Sequence, residues 1–250
     1  MYFAAGKTYY IPTAINIDHD CRLFGGEGTT IKTETDNGVL NNVFVADGML
    51  KKTTTLTTDY DSDGGTDNAG NQFTLSDMTG IAIDDIMVIK ATDQYYNYSR
   101  QYYYLGGTLL IGDIYNGHLY TTTNLPFDIE NTENVSVKIY SAPQIIVEGL
   151  NFVGEMVSGG NYKYFVLLKQ CRNSIVRNCR MTEMDSGIRI DNCFNTLIES
   201  VEMSKSKELN SRQGDGYGIA IYSSTNTVVV RVNAICAQSC VCLSGDVTCF

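Results

Sequence analysis

"CRNSIVRNCRM", residues 171–181, is followed 22 residues later by "CFNTLIESVEM", residues 193–203. Both run Cys, a variable residue, Asn, a hydroxyl residue, then two branched apolar residues. Placing Ser174, Thr196 and Thr227 in one column puts Asn173, Asn195 and Asn226 in the column before it, and Cys171, Cys193 and Ser224 two places further back. Apolar columns flank these: Ile175/Leu197/Val228, Val176/Ile198/Val229 and Cys179/Val201/Val232. Upstream, Val166/Ile188/Ile219 and Leu168/Ile190/Ile221 align, with Leu167, Arg189 and Ala220 at the outward position between them. A further copy starts at "QIIVEGLNFVG", residues 144–154, without the Asn.

Asn173 to Asn195 is 22 residues and Asn195 to Asn226 is 31. The extra residues fall in "SKSKELNSRQGDGYG", between strand groups that keep their alignment. A solenoid behaves this way, because its coils stack and insertions become loops on one face. The leucine-rich repeat is the rival at this period, but it needs a helical segment in each repeat. Here each repeat carries at least two apolar strand groups and nothing helical, which favours a parallel β-helix. Stacked coils lie about 4.8 Å apart. Asn tolerates the left-handed conformation of a sharp corner, and stacked amides can bond along the axis. Asn195 is therefore expected to turn the corner while Leu197, Ile198 and Val201 fill the stack and Cys193 packs over Cys171.

Short runs rich in Val, Ile, Tyr and Thr dominate the rest of the chain, a β signature. Residues 53–141 break the repeat. "IAIDDIMVIKA", "GTLLIGDIYNGHLYTTTN" and "NVSVKIYSA" read as antiparallel strands, with Asn-Gly in "YNGHLY" as a hairpin turn. The division expected is opening coils over 1–52, an inserted β subdomain over 53–141 and coils again over 142–250.

The 250 residues suffice for a large β domain. A net charge of −10 without a basic stripe argues against nucleic acid or anionic membrane as partner. Apolar runs are too short for a membrane helix, and "MYFAAGKTYYIPT" does not read as a signal peptide. The eight cysteines make no pair of CxxC knuckles and only two histidines exist, so packed free thiols are favoured over disulfides or zinc. That fits assembly in a reducing compartment.

The motif "AGKTYYI…INID…LFGGEGTTI" together with the coils from 144 onward resembles the pectin-lyase-like right-handed parallel β-helix superfamily, above all phage and prophage tail-spike or appendage proteins. The likeness covers 4–33 and the chain from 144. It implies an all-β, right-handed parallel β-helix with an inserted antiparallel β subdomain. It also implies a homotrimer on a virion tail or cell surface that binds, and in many cases depolymerises, host polysaccharide. Catalytic coils or a trimerising tail would lie beyond Phe250. The alternatives are a non-catalytic adhesive solenoid and a secreted bacterial polysaccharide lyase or hydrolase.

Four stretches could carry chemistry. Asp185 in "EMDSGIRI" and Asp215 in "QGDGYGIAI" precede equivalent strands. One coil spacing with a one-residue offset puts their carboxyls roughly 5–8 Å apart, a glycosidase spacing. The alternative is a pair of turn aspartates. These segments resemble strand starts of polygalacturonases, with one Asp where that family has two and Tyr217 in place of its histidine. Arg189 stands where the superfamily's lyases carry a basic residue for proton abstraction, or it is a structural ion pair. "YYNYSRQYYY", residues 95–104, offers Tyr102 and Tyr103, with Tyr217, as sugar-stacking rings or plain packing. "DYDSDGGTDNAG", residues 59–70, starts like a calcium loop, but Gly70 stands where the twelfth-position Glu belongs. No nucleotide fingerprint is present, so no cofactor and no metal site is expected.

Overall fold

The computed structural model describes residues 1–33, 42–63, 70–94, 104–130, 135–154, 164–183, 186–204, 217–235 and 239–244. Alternating apolar residues in each repeat fall into three groups, and each group is a strand. The first rung holds β1 (Tyr2–Phe3), β2 (Thr8–Ile11) and β3 (Ile15–Ile17), and the second holds β4 (Cys21–Gly25), β5 (Thr30–Thr33) and β6 (Asn42–Asp47). An antiparallel unit follows: β7 (Met49–Thr54), β8 (Gln72–Phe73), β9 (Ile86–Gln94), β10 (Tyr104–Tyr115), β11 (His118–Thr121) and β12 (Ser136–Ser141). Rungs then resume with β13 (Ile145–Glu148), β14 (Asn151–Val153) and β15 (Tyr164–Lys169), then β16 (Ile175–Arg177), β17 (Arg180–Thr182) and β18 (Ser186–Asp191). The last two are β19 (Phe194–Glu199), β20 (Glu202–Ser204) and β21 (Tyr217–Tyr222), and β22 (Thr225–Val230), β23 (Asn233–Ala234) and β24 (Ser239–Ser244).

Equivalent strands pair in parallel, rung on rung. Sheet I is β1-β4-β13-β16-β19-β22, sheet II is β2-β5-β14-β17-β20-β23, and sheet III is β3-β6-β15-β18-β21-β24. The result is a right-handed parallel β-helix. The register reproduces the sequence columns: Val166 faces Ile188 and Ile188 faces Ile219, while Val176 faces Ile198 and Ile198 faces Val229. The third group escapes the eye because β17 and β20 each send one side chain inward, Met181 and Met203. Ile198 and Val201 are fully buried, as expected. Leu197 instead sits half-buried on the outer face, since its neighbour Ile198 takes the inward position of the pleat. Inside the early rungs, Phe3, Phe44, Phe152 and Phe165 form a chain of rings with centroids 6.1, 5.7 and 5.1 Å apart.

Tight corners keep this register. From Gln170 onward, the described non-glycine residues in the left-handed region recur rung by rung: Gln170, Asn173 and Asn178; then Asn192, Asn195 and Ser200; then Ser223, Asn226 and Arg231, with Glu183 an additional one in the first of these rungs. Such a φ costs most side chains about 1–2 kcal/mol and Asn less. The Asn column recovers part of this through its amides. Asn195 Nδ2 donates to Asn173 Oδ1 at 2.7 Å, and Asn226 Nδ2 donates to Asn195 Oδ1 at 3.1 Å. Beside it the Cys column acts as a hydroxyl column. Cys171 N donates to Cys193 Sγ at 3.4 Å, and Cys193 N donates to Ser224 Oγ at 3.0 Å. Both thiols are fully buried and free. The Cys193 contact and burial push the Cys171 thiol well up, and burial pushes Cys179 up to about 11. They pack as protonated, unreactive groups.

The antiparallel sheet has the order β7-β12-β9-β10-β11-β8. Asn116 and Gly117, both at positive φ, form the hairpin turn between β10 and β11. Its core gathers Met87, Ile89, Leu109, Ile111, Val137 and Ile139. Edge strand β7 carries Lys51 and Lys52, which discourage further strand pairing. The sheet leaves the helix between β6 and β13, where sheet III turns into sheet I, and it lies on that corner. Ile86, Leu110 and Ala142 pack with Phe194, and Thr108 Oγ1 donates to the Ser223 carbonyl at 2.7 Å.

Asn195 joins the left-handed corner to both amide bonds. Asn195→Ala should cost about 2 kcal/mol in urea unfolding, and Asn195→Gly about 1 kcal/mol, since glycine restores the backbone but not the bonds. Equal losses would mean that the amides contribute nothing.

Candidate functional site

The corners of sheet I to sheet II are uniform, two residues each from β13 onward. Connections from sheet II to sheet III are not: they range from three residues, 183–185, to twelve, 205–216. Most of the length variation in the later rungs therefore falls between sheet II and sheet III. The antiparallel sheet borders the opposite edge of sheet III.

Three rungs build the chemistry of the outer face of sheet III. On β18, alternation sends Ile188 and Ile190 inward and Arg189 and Asp191 outward. Arg189 Nε donates to Asp191 Oδ2 at 2.9 Å, and Nη2 lies 2.9 Å from the same oxygen as an ion pair. Tyr164 of the rung before and Tyr222 of the rung after close on the guanidinium, 5.7 and 4.6 Å from it to the ring centroids. Tyr164, Leu167 and Ala220 form an apolar floor, with Val45, Tyr217 and Tyr222 against it. One column over, Lys169 pairs in register with Asp47 on one side and Asp191 on the other, and its Nζ lies 3.2 Å from Asp47 Oδ2.

Burial governs the electrostatics. It pushes the Tyr222 hydroxyl up to about 12 and raises that of Tyr164. It also raises Asp191, outweighing the opposing pull of Arg189 and of Lys169. Asp191 Oδ1 is buried and has no hydrogen-bond partner. At the border, Tyr140 of β12 is raised by burial and then by the Asp47 charge, which ties the inserted sheet to this face.

Of the residues expected from sequence, Arg189 and Tyr217 lie on this face. Asp185, Asp215, Tyr102 and Tyr103 lie outside the described residues. Arg189 is ion-paired, and the described partner is Asp191. Asp191, Tyr164 and Tyr222 were not singled out from the sequence. Period-two alternation from Arg189 would have found Asp191, and aligning the outward columns would have placed Tyr222 beside it. In the stretch that starts like a calcium loop, Asp61 Oδ1 accepts from Asp63 N at 2.9 Å, and Asp128 Oδ1 accepts from Ser62 N at 2.8 Å and Ser62 Oγ at 2.6 Å. Residues 64–69 of it lie outside the described residues. Among the described residues no three His, Cys, Asp or Glu side chains gather as a metal site.

No protein-family model matches the chain, and no curated protein does. Solved structures do. The Gp54 tailspike of Acinetobacter baumannii bacteriophage AP22, in complex with A. baumannii capsular saccharide, superposes with a TM-score of 0.73 at 19% identity over 98% of this chain. The tailspike protein gp49 of Pseudomonas phage LKA1 and the tailspike gp61 of Pseudomonas phage phi297 each give 0.74, at 16% and 17% identity, also over 98%. This chain has the fold of a phage tailspike β-helix. It spans 38% to 39% of the length of those three tailspikes.

Within this tailspike fold the Arg189–Asp191 pair is buried enough for removal of one partner to be costly. Arg189→Ala should destabilise the chain by about 2–4 kcal/mol, because it leaves the Asp191 carboxylate uncompensated. Arg189→Ala with Asp191→Ala should cost less than Arg189→Ala alone. Additive losses in thermal unfolding would show the pair to be uncoupled.

Proposed function

We propose that this chain belongs to the β-helical body of a phage tailspike and binds host cell-surface polysaccharide on the outer face of sheet III. The observation that carries this reading is the Tyr164–Arg189–Tyr222 stack over an apolar floor, beside the docked sheet. Aromatic rings pack on the C–H faces of sugars, and phenol and guanidinium groups at their edges bond the hydroxyls. Three rungs with a spacing of about 4.8 Å present such groups in a line, which suits an extended polymer. The saccharide-bound tailspike among the structural neighbours supports the ligand class.

Homotrimer assembly, a place on the virion tail and production in a reducing cytoplasm belong to the same proposal; the free buried thiols support the last of these. Depolymerisation would rest on Asp185 and Asp215, which precede β18 and β21 in the sequence, with one carboxyl protonated as general acid and the other ionised. Arg189, held charged against Asp191, suits anchoring the sugar better than taking a proton from it.

Tyr222→Ala and Tyr217→Ala should each weaken binding to purified host polysaccharide by about tenfold. Asp185→Asn or Asp215→Asn should abolish release of reducing ends while binding persists. Binding that is untouched by both tyrosine substitutions would remove sheet III as the site. Binding without turnover in the unmodified protein would make it an adhesin.

A further inference from the structure

We infer that the two ion pairs on sheet III, Arg189–Asp191 and Lys169–Asp47, make this face select uncharged sugar units and reject acidic ones. The inference rests on the polysaccharide reading above and names the class of unit that the site takes. Both of these cations are committed. Arg189 donates Nε–H to Asp191 Oδ2 and sets Nη2 against the same oxygen, and its guanidinium lies over the Tyr164 and Tyr222 rings. Lys169 is paired with Asp47. The four charges sum to zero, so the strip offers an incoming carboxylate or phosphate no net attraction.

The Asp191 carboxylate, in contrast, is under-compensated. Asp191 is 9% exposed, and Oδ1 has no donor although Oδ2 accepts from Arg189 Nε and faces Nη2. A buried carboxylate in that state favours a hydrogen-bond donor over a second anion. A sugar hydroxyl can donate to a carboxylate and accept from the remaining guanidinium N–H groups at once. A uronate or phosphate would instead set like charges side by side in a half-buried site. Lys169 sits in register between Asp47 and Asp191, so its single positive charge separates two negative ones along the axis.

The test uses the whole chain on an array of purified bacterial capsular and O-antigen polysaccharides. The array is divided into members that carry uronic acid, sialic acid or phosphate and members that carry none. The unmodified chain should bind uncharged members about tenfold or more tightly than acidic ones. Asp191→Asn frees Arg189 and turns the strip from neutral to singly positive. It should raise binding to acidic members about tenfold and change uncharged members less. Asp47→Asn, at a side chain 53% exposed and so safe for folding, should do the same by freeing Lys169. Should Asp191→Asn fail to fold, the Asp47 variant reads the same ratio. Preference of the unmodified chain for acidic members, or folded variants with an unchanged ratio, would overturn the inference and leave polysaccharide binding intact. Absence of binding to every member would overturn polysaccharide binding, and this inference with it.

Discussion

The left-handed corner is the constraint on which the rest depends. Asn173, Asn195 and Asn226 turn the chain at one place in three successive rungs, and their amides bond along the axis at 2.7 and 3.1 Å. A rung that turned one residue early would send its inward residues to solvent, because strand side chains alternate. Gln170, Asn192 and Ser223 before this corner, and Asn178, Ser200 and Arg231 after it, repeat the device. Left-handed residues that recur in this way over three rungs cost several kcal/mol by the usual scale. The interior column offsets that cost, with Val166, Ile188, Ile190, Ile198 and Ile219 at or near zero exposure.

Fixed register is also what assembles the functional face. Tyr164, Arg189 and Tyr222 come from three rungs, 25 and 33 residues apart in sequence, and no single rung contains the stack. Any change in corner geometry would slide one member past the others. The connections from sheet II to sheet III are free of this demand, since each begins and ends on a strand already held by its neighbours. Long insertions there cost little closure entropy. Most variation in length thus falls between sheet II and sheet III in the chain, while the inserted sheet anchors the opposite edge of sheet III through Phe194 and Thr108.

Much of the fold was legible because its constraints recur in register. The Asn, Cys and inner apolar columns are chemically uniform, and Asn116–Gly117 announces a hairpin by itself. The sheet II strands β17 and β20 were hard to read because one inward methionine makes no alternation, and Leu197 was misplaced because an apolar residue on an outer face looks like core. The docking of Phe194 against Ile86 and Leu110 joins residues too far apart for any local pattern. The face was legible only at Arg189 and Tyr217. Its outward columns, Asp47–Lys169–Asp191–Tyr222 among them, vary in chemistry from rung to rung, so repeat alignment passes over them.

Hydrogen exchange on the chain with and without its polysaccharide tests the central claim most directly. Ligand should slow exchange in the sheet III strands, Tyr164–Lys169, Ser186–Asp191 and Tyr217–Tyr222, and in the connections that lead into them, while sheet I strands Ile175–Arg177 and Phe194–Glu199 stay unchanged. Slowed exchange confined to sheet I or to the antiparallel sheet, with sheet III unaffected, would contradict it.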